Sequence, residues 1–77
     1  PATEQPQTID GEEINKMLHK AIDALPTAQR EVFILRYIEE LSTTEVAQIV
    51  DCPEGTVKSR LHHALESIRE KMKKYKI

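Results

Sequence analysis

Within the stretch Pro53 to His63 the chain gathers Thr56, Lys58, Ser59, Arg60, His62 and His63. Lysine and arginine suit phosphate oxygens, and a cation suits the O6 and N7 acceptors of guanine. Ser59 and a neutral histidine can each donate or accept, so neither fixes a base unaided. The set is equipped to recognise a polyanion through charge and hydrogen bonds. Bond-breaking chemistry has little to work with. No Ser/His/Asp constellation stands out, there is no Gly-rich phosphate loop, and the chain holds only two glycines, so an enzyme is not expected. Either His62 or His63 could join Glu66 as a metal ligand, but two or three ligands on one exposed helix make a poor site, and no cofactor or metal is expected. Cys52 reads as a small buried hydrophobe in preference to a redox sensor.

Helix geometry decides which of these side chains can reach a partner. Each residue turns an α-helix by about 100°. With Val57, Leu61, Ala64 and Ile68 facing inward, the outer arc near the helix start holds Gly55, Thr56, Ser59, His62 and His63, with Lys58 and Arg60 on the flanks. The segment Leu41 to Leu65 supplies the frame: a short helix, a tight break and a longer helix, the parts of a helix-turn-helix. Ser42 with Glu45 forms a capping box that starts the third helix, Thr43 to Val50. Asp51-Cys52 is the break, and Asp tolerates a left-handed backbone better than most residues. Pro53 fits the first turn of the fourth helix, expected to run to about Lys74. Ala47 is small where the two helices cross, and Val46, Val50, Cys52 and Val57 supply apolar contacts.

Upstream, residues 1–9 are polar, carry two prolines and read as a linker or disordered tail, leaving 10–77 as the domain. Asp10, with Glu13 three residues on, caps a first helix whose apolar face is Ile14, Met17, Leu18, Ala21, Ile22 and Leu25, ended by Pro26. Thr27 is the expected cap of a second helix over 28–40, with Val32, Leu35 and Ile38 inward. The fold expected is therefore all-α: a four-helix domain containing a C-terminal helix-turn-helix with a long recognition helix. Its expected core is Leu18, Ile22, Val32, Leu35, Ile38, Val46, Ile49, Val57, Leu61 and Ile68.

The net charge of −2 conceals an asymmetry. Residues 1–51 carry ten acids against four Lys/Arg, whereas residues 52–77 carry seven Lys/Arg against three acids. A basic binding face on an acidic body follows. The Lys71, Lys73, Lys74 and Lys76 run is either a phosphate-binding tail or a solvated helix end favoured by the dipole. No apolar run reaches the roughly 18 residues a membrane helix needs, so no membrane insertion is expected. A lone cysteine, an initial residue other than Met and no visible export signal suggest a cytoplasmic segment of a longer protein.

These residues carry a family resemblance. The stretch from Leu25 to Leu65 resembles region 4, the C-terminal domain, of the extracytoplasmic-function (ECF) sigma factors of the sigma-70 family. Its markers are Leu25-Pro26, Arg30-Glu31-Val32, Leu35-Arg36-Tyr37, Leu41-Ser42, Glu45-Val46-Ala47 and the specific run Cys52-Pro53-Glu54-Gly55-Thr56-Val57-Lys58-Ser59-Arg60-Leu61. The resemblance implies binding of double-stranded promoter DNA at the −35 element during transcription initiation, docking on the β flap of the RNA polymerase core, and control by an anti-sigma factor. By position, Lys58, Ser59, His62 and His63 match base-contacting residues, and Thr56 and Arg60 match backbone contacts. The family's Arg-Ala-Arg-like step is replaced here by His63-Ala64-Leu65, which removes two expected cations.

Two other functions compete. A response-regulator effector domain of the LuxR type also has four helices and a TVK step, though Pro53-x-Gly55 and Ser59-Arg60 fit the sigma pattern better. A helical protein-interaction module without a DNA role would show flat salt dependence in a DNA titration.

Overall fold

The computed structural model describes residues 11–73. These form helices α1 (Gly11–Asp23), α2 (Thr27–Phe33), α3 (Thr43–Val50) and α4 (Glu54–Met72), with a π-helical segment, Ile34–Ile38, continuing α2. The all-α, four-helix expectation holds. The expected tail, the Asp10 cap and the residues from Lys74 onward lie outside the described residues.

α1 ends where Pro26 forbids continuation, and a cation closes it. The Arg30 guanidinium donates to the carbonyls of Asp23 (3.3 Å) and Leu25 (3.1 Å), which would otherwise lack partners at the helix end. Pro26, with ψ 149°, is the residue capping α2, and its carbonyl accepts from the Arg30 amide at 2.9 Å. Thr27 is thus the first helical residue and not the cap expected of it.

The second helix was expected to run unbroken over 28–40. Instead the Glu39 amide reaches back five residues to the Ile34 carbonyl (2.9 Å), and the Leu41 amide reaches six to that of Leu35 (3.0 Å). A π turn winds more slowly than an α turn, so side chains beyond Ile34 leave the phase set by Val32. This is why Ile38, expected in the core, is 52% exposed. The chain then reverses through Glu40, whose φ of 61° is left-handed.

α3 begins as its sequence implies. Ser42 Oγ accepts from the Glu45 amide (3.1 Å), and Glu45 Oε1 accepts from the Ser42 amide (2.8 Å), completing the capping box. The helix stops at Asp51, left-handed at φ 58° and ψ 50°. Pro53 is extended and caps α4 from outside; its carbonyl accepts from Thr56 (3.0 Å) and Val57 (3.2 Å), so α4 starts at Glu54, one residue later than expected.

Two apolar clusters hold the helices. The first joins α1 to α2 and the far half of α4 through Ala21, Ile22, Leu25, Phe33, Ala64 and Ile68, with Leu18, Ile34, Leu65 and Met72 around it. The second joins α2, α3 and the near half of α4 through Val32, Val46, Ala47, Val57 and Leu61, ringed by Leu35, Leu41, Val50 and Cys52. Val32 and Phe33, adjacent on α2, belong to different clusters, so α2 is wedged between them. Of the expected core, Ile22, Val32, Val46, Val57, Leu61 and Ile68 are buried, and Leu18 and Leu35 are partly buried. Ile49 is a second correction at 58% exposure. With Val46 and Ala47 inward, helical rotation carries Ile49 about a quarter turn or more off that face.

Candidate nucleic-acid interface

α4 is positioned by its inner stripe. Val57 is fully buried and Leu61 nearly so, both against Val32 and the α3 pair Val46 and Ala47. Short side chains let α3 and α4 approach closely, and β-branched valines hold one rotamer in a helix. The opposite arc of α4 is thereby presented outward in a fixed orientation.

Lys58, Ser59, His62 and His63 are all exposed on that arc. The two imidazole rings meet edge to face with centroids 5.7 Å apart. Gly55 is also exposed, and a Cβ built there would meet nothing within 4 Å, so the protein's own packing does not demand glycine. Thr56 and Arg60 are half-buried, closer to the body than an outward arc implies for Thr56. The four base-contact candidates thus share one surface, and the two backbone-contact candidates sit nearer its rim.

The flanking cations are held differently. The Arg60 guanidinium donates to Cys52 Sγ at 3.4 Å, and the Cys52 thiol donates to the Val50 carbonyl at 3.6 Å. Cys52 is therefore partly buried, packing on the second cluster while anchoring Arg60. One donor on sulfur leaves Arg60 further donors, since guanidinium carries five. Lys58 enters no ion pair among the described residues. Farther along α4, Arg69 pairs with Glu66 (3.2 Å) and Lys73 with Glu70 (3.5 Å). Those two cations are each paired with an acid one turn away, whereas Lys58, like Lys71, enters no ion pair among the described residues.

Sequence reasoning missed two contacts here. One is Arg60 on Cys52. The other is the Thr44 hydroxyl, which donates to Glu54 Oε2 at 2.7 Å across the turn. Both join residues eight to ten apart in different elements, a separation that no single-helix period encodes. Among the described residues no group of three or more His, Cys, Asp or Glu could hold a metal ion. None of the described helices is long and apolar enough to cross a membrane.

A largely apolar groove lies between the α2 and π-helical residues and the end of α3. Glu31, Ile34, Leu35, Ile49 and Val50 line this groove of about 490 Å³. On the segment after α2, Tyr37 is 45% exposed, its ring tilted 50° to that of Phe33 with centroids 5.2 Å apart, and the Arg36 guanidinium lies 5.3 Å over its ring.

The sequence profile of the family described as sigma-70, region 4 matches residues 15–68. The ECF RNA polymerase sigma factor SigW of Bacillus subtilis is 38% identical over 61 residues, covering 79% of this chain and 33% of that protein. The ECF RNA polymerase sigma-E factors of Escherichia coli strain K12 and Salmonella typhimurium strain LT2 are 41% identical over 61 residues, covering 79% of this chain and 32% of theirs. The chain thus spans about a third of the length of these relatives. Neither the LuxR-type reading nor the module without a DNA role is favoured by these similarities.

Proposed function

Because this chain belongs to the sigma-70 region 4 family, a DNA-binding and non-catalytic family, we propose that it binds the −35 promoter element for a cytoplasmic ECF-type sigma factor directing transcription initiation. The observation that carries this reading is the shared surface of Lys58, Ser59, His62 and His63 on α4, held outward by a packed helix-turn-helix. Base-edge contacts in such motifs come from the N-terminal turns of the second helix, where these four residues stand. Lys58 contacts guanine, and Ser59, His62 and His63 contact neighbouring base edges. Thr56 and Arg60 contact the phosphate backbone at the rim and set the register.

The apolar groove and the exposed Ile38, Ile49 and Tyr37 face away from a polyanion's needs. We assign them to protein: the β flap of the RNA polymerase core, with an anti-sigma factor competing for the acidic, apolar helical body. This follows the separation of an apolar face from a cationic one, which lets one molecule hold protein and DNA together.

The test is a titration of the full-length protein, with core polymerase present, against duplexes it selects from a randomised pool. Phosphate binding requires log K to fall linearly with log salt concentration. A common motif among the selected duplexes, bound with that slope, is the expected result. A flat salt response, or no enriched motif, would contradict the reading.

A further inference from the structure

Acids and cations one turn apart on α4 behave in two ways. In the far half they pair: Glu66 with Arg69 at 3.2 Å and Glu70 with Lys73 at 3.5 Å. In the near half, Glu54 stands four residues before Lys58, the order in which a helical Glu–Lys pair is more favourable. Lys58 lies only about 40° around the helix from Glu54, on the same edge. Both side chains are exposed, yet no ion pair forms between them. The Glu54 carboxylate is engaged elsewhere, accepting from the Thr44 hydroxyl on the first turn of α3 at 2.7 Å.

We propose that Thr44 is a positioning residue for Lys58: its hydroxyl holds the Glu54 carboxylate on the α3 side and so keeps the Lys58 ammonium free for DNA. The inference rests on the reading of α4 as the DNA-contacting helix. A hydroxyl donating to a carboxylate is a charge-assisted bond, short and directional. The competing Glu54–Lys58 pair is an exposed i, i+4 pair of modest strength, and with Oε2 held by Thr44 neither carboxylate oxygen lies within ion-pair distance of Lys58. Glu54 keeps a second role in this position, since an acid in the first turn complements the positive end of the helix. The arrangement lets α4 have an acidic first turn without that acid neutralising the cation one turn further on.

The experiment compares Thr44→Val, Glu54→Gln, their double variant, Lys58→Ala and Thr44→Val in the Lys58→Ala background, all in the full-length protein, using duplexes selected by the unsubstituted protein. Thr44→Val should weaken binding about twofold, the size of the released helical ion pair. The loss should appear at the base pair that Lys58→Ala affects. Glu54→Gln added to Thr44→Val should restore affinity, and Thr44→Val should have no effect in a Lys58→Ala background. A merely structural role for Thr44 would produce neither the rescue nor the dependence on Lys58. Unchanged affinity in Thr44→Val overturns the proposal, as does a loss that persists in the double variant or in the Lys58→Ala background. If Lys58→Ala itself is silent across all duplexes, the assignment of α4 to DNA fails first, and this inference falls with it.

Discussion

The two apolar clusters use different residues for different ends. The body cluster draws mainly on large side chains, Ile22, Leu25, Phe33 and Ile68, closed by the small Ala21 and Ala64, with Leu18, Leu65 and Met72 packed around them. The cluster beneath the helix-turn-helix is built around Val32, Val46 and Val57, all at 0% exposure. Large residues remove more apolar area from water, so the body supplies much of the driving force for folding. Valines bury less but lose little rotamer freedom and hold their neighbours stiffly. A helix that must offer side chains to a partner in fixed register gains more from the second kind of packing. α2 and α4 cross both clusters, so the rigid part is stabilised by the bulky part through shared helices.

The largest expected effect probes the body. Phe33→Ala should cost about 3–5 kcal/mol of unfolding free energy. For a domain this small that is a large share of the total, and denaturant unfolding of the variant measures it directly. A loss confined to α1, with the α3–α4 signals unchanged in hydrogen exchange, would break the claim that the bulky cluster stabilises the valine cluster through shared helices.

A smaller effect sharpens the other side of the comparison. Val57→Thr keeps the shape but places a hydroxyl at a site with no exposure and apolar neighbours. It should cost about 1–3 kcal/mol, the penalty for burying an unpaired polar group. Chemical denaturation that shows no loss would mean the valine layer tolerates looser packing than its burial implies.

The smallest effect concerns stability least and partners most. Ile49→Ala should change stability by less than about 0.5 kcal/mol, as for other exposed positions. Retention of the variant on an immobilised β-flap fragment should nevertheless fall. Large destabilisation would return Ile49 to the core, and unchanged retention would remove the apolar face from the proposed docking surface.

Ile38 and Ile49 also mark where the sequence could be read and where it could not. Caps and turn residues act locally, so Ser42 with Glu45, the left-handed Asp51 and the span of α3 were all legible. The inner stripe of α4 was legible too, because nineteen residues of unbroken helix keep one phase. The π turn has no comparable local signature in Ile34–Ile38, and it moved Ile38 out of the phase that Val32 and Leu35 predicted. An apolar residue that serves a partner also looks the same, in one sequence, as one that serves the core. The helical stripe through Val32 does not include its neighbour Phe33, yet Phe33 is core because α2 packs on both sides. At the candidate interface, the exposed arc followed from helix geometry. The contacts of Thr44 with Glu54 and of Arg60 with Cys52 did not, because each depends on how two elements pack.

The division of labour on α4 is tested most directly by two variants, Lys58→Ala and Arg60→Ala, measured in the full-length protein against every single-base variant of its selected −35 duplex. Lys58→Ala should lose about 1–3 kcal/mol and relax preference at one base pair. Arg60→Ala should weaken all duplexes alike and lower the salt slope by about 1. Equal changes from both variants across the whole panel would contradict the assignment of Lys58 to base recognition and Arg60 to the backbone.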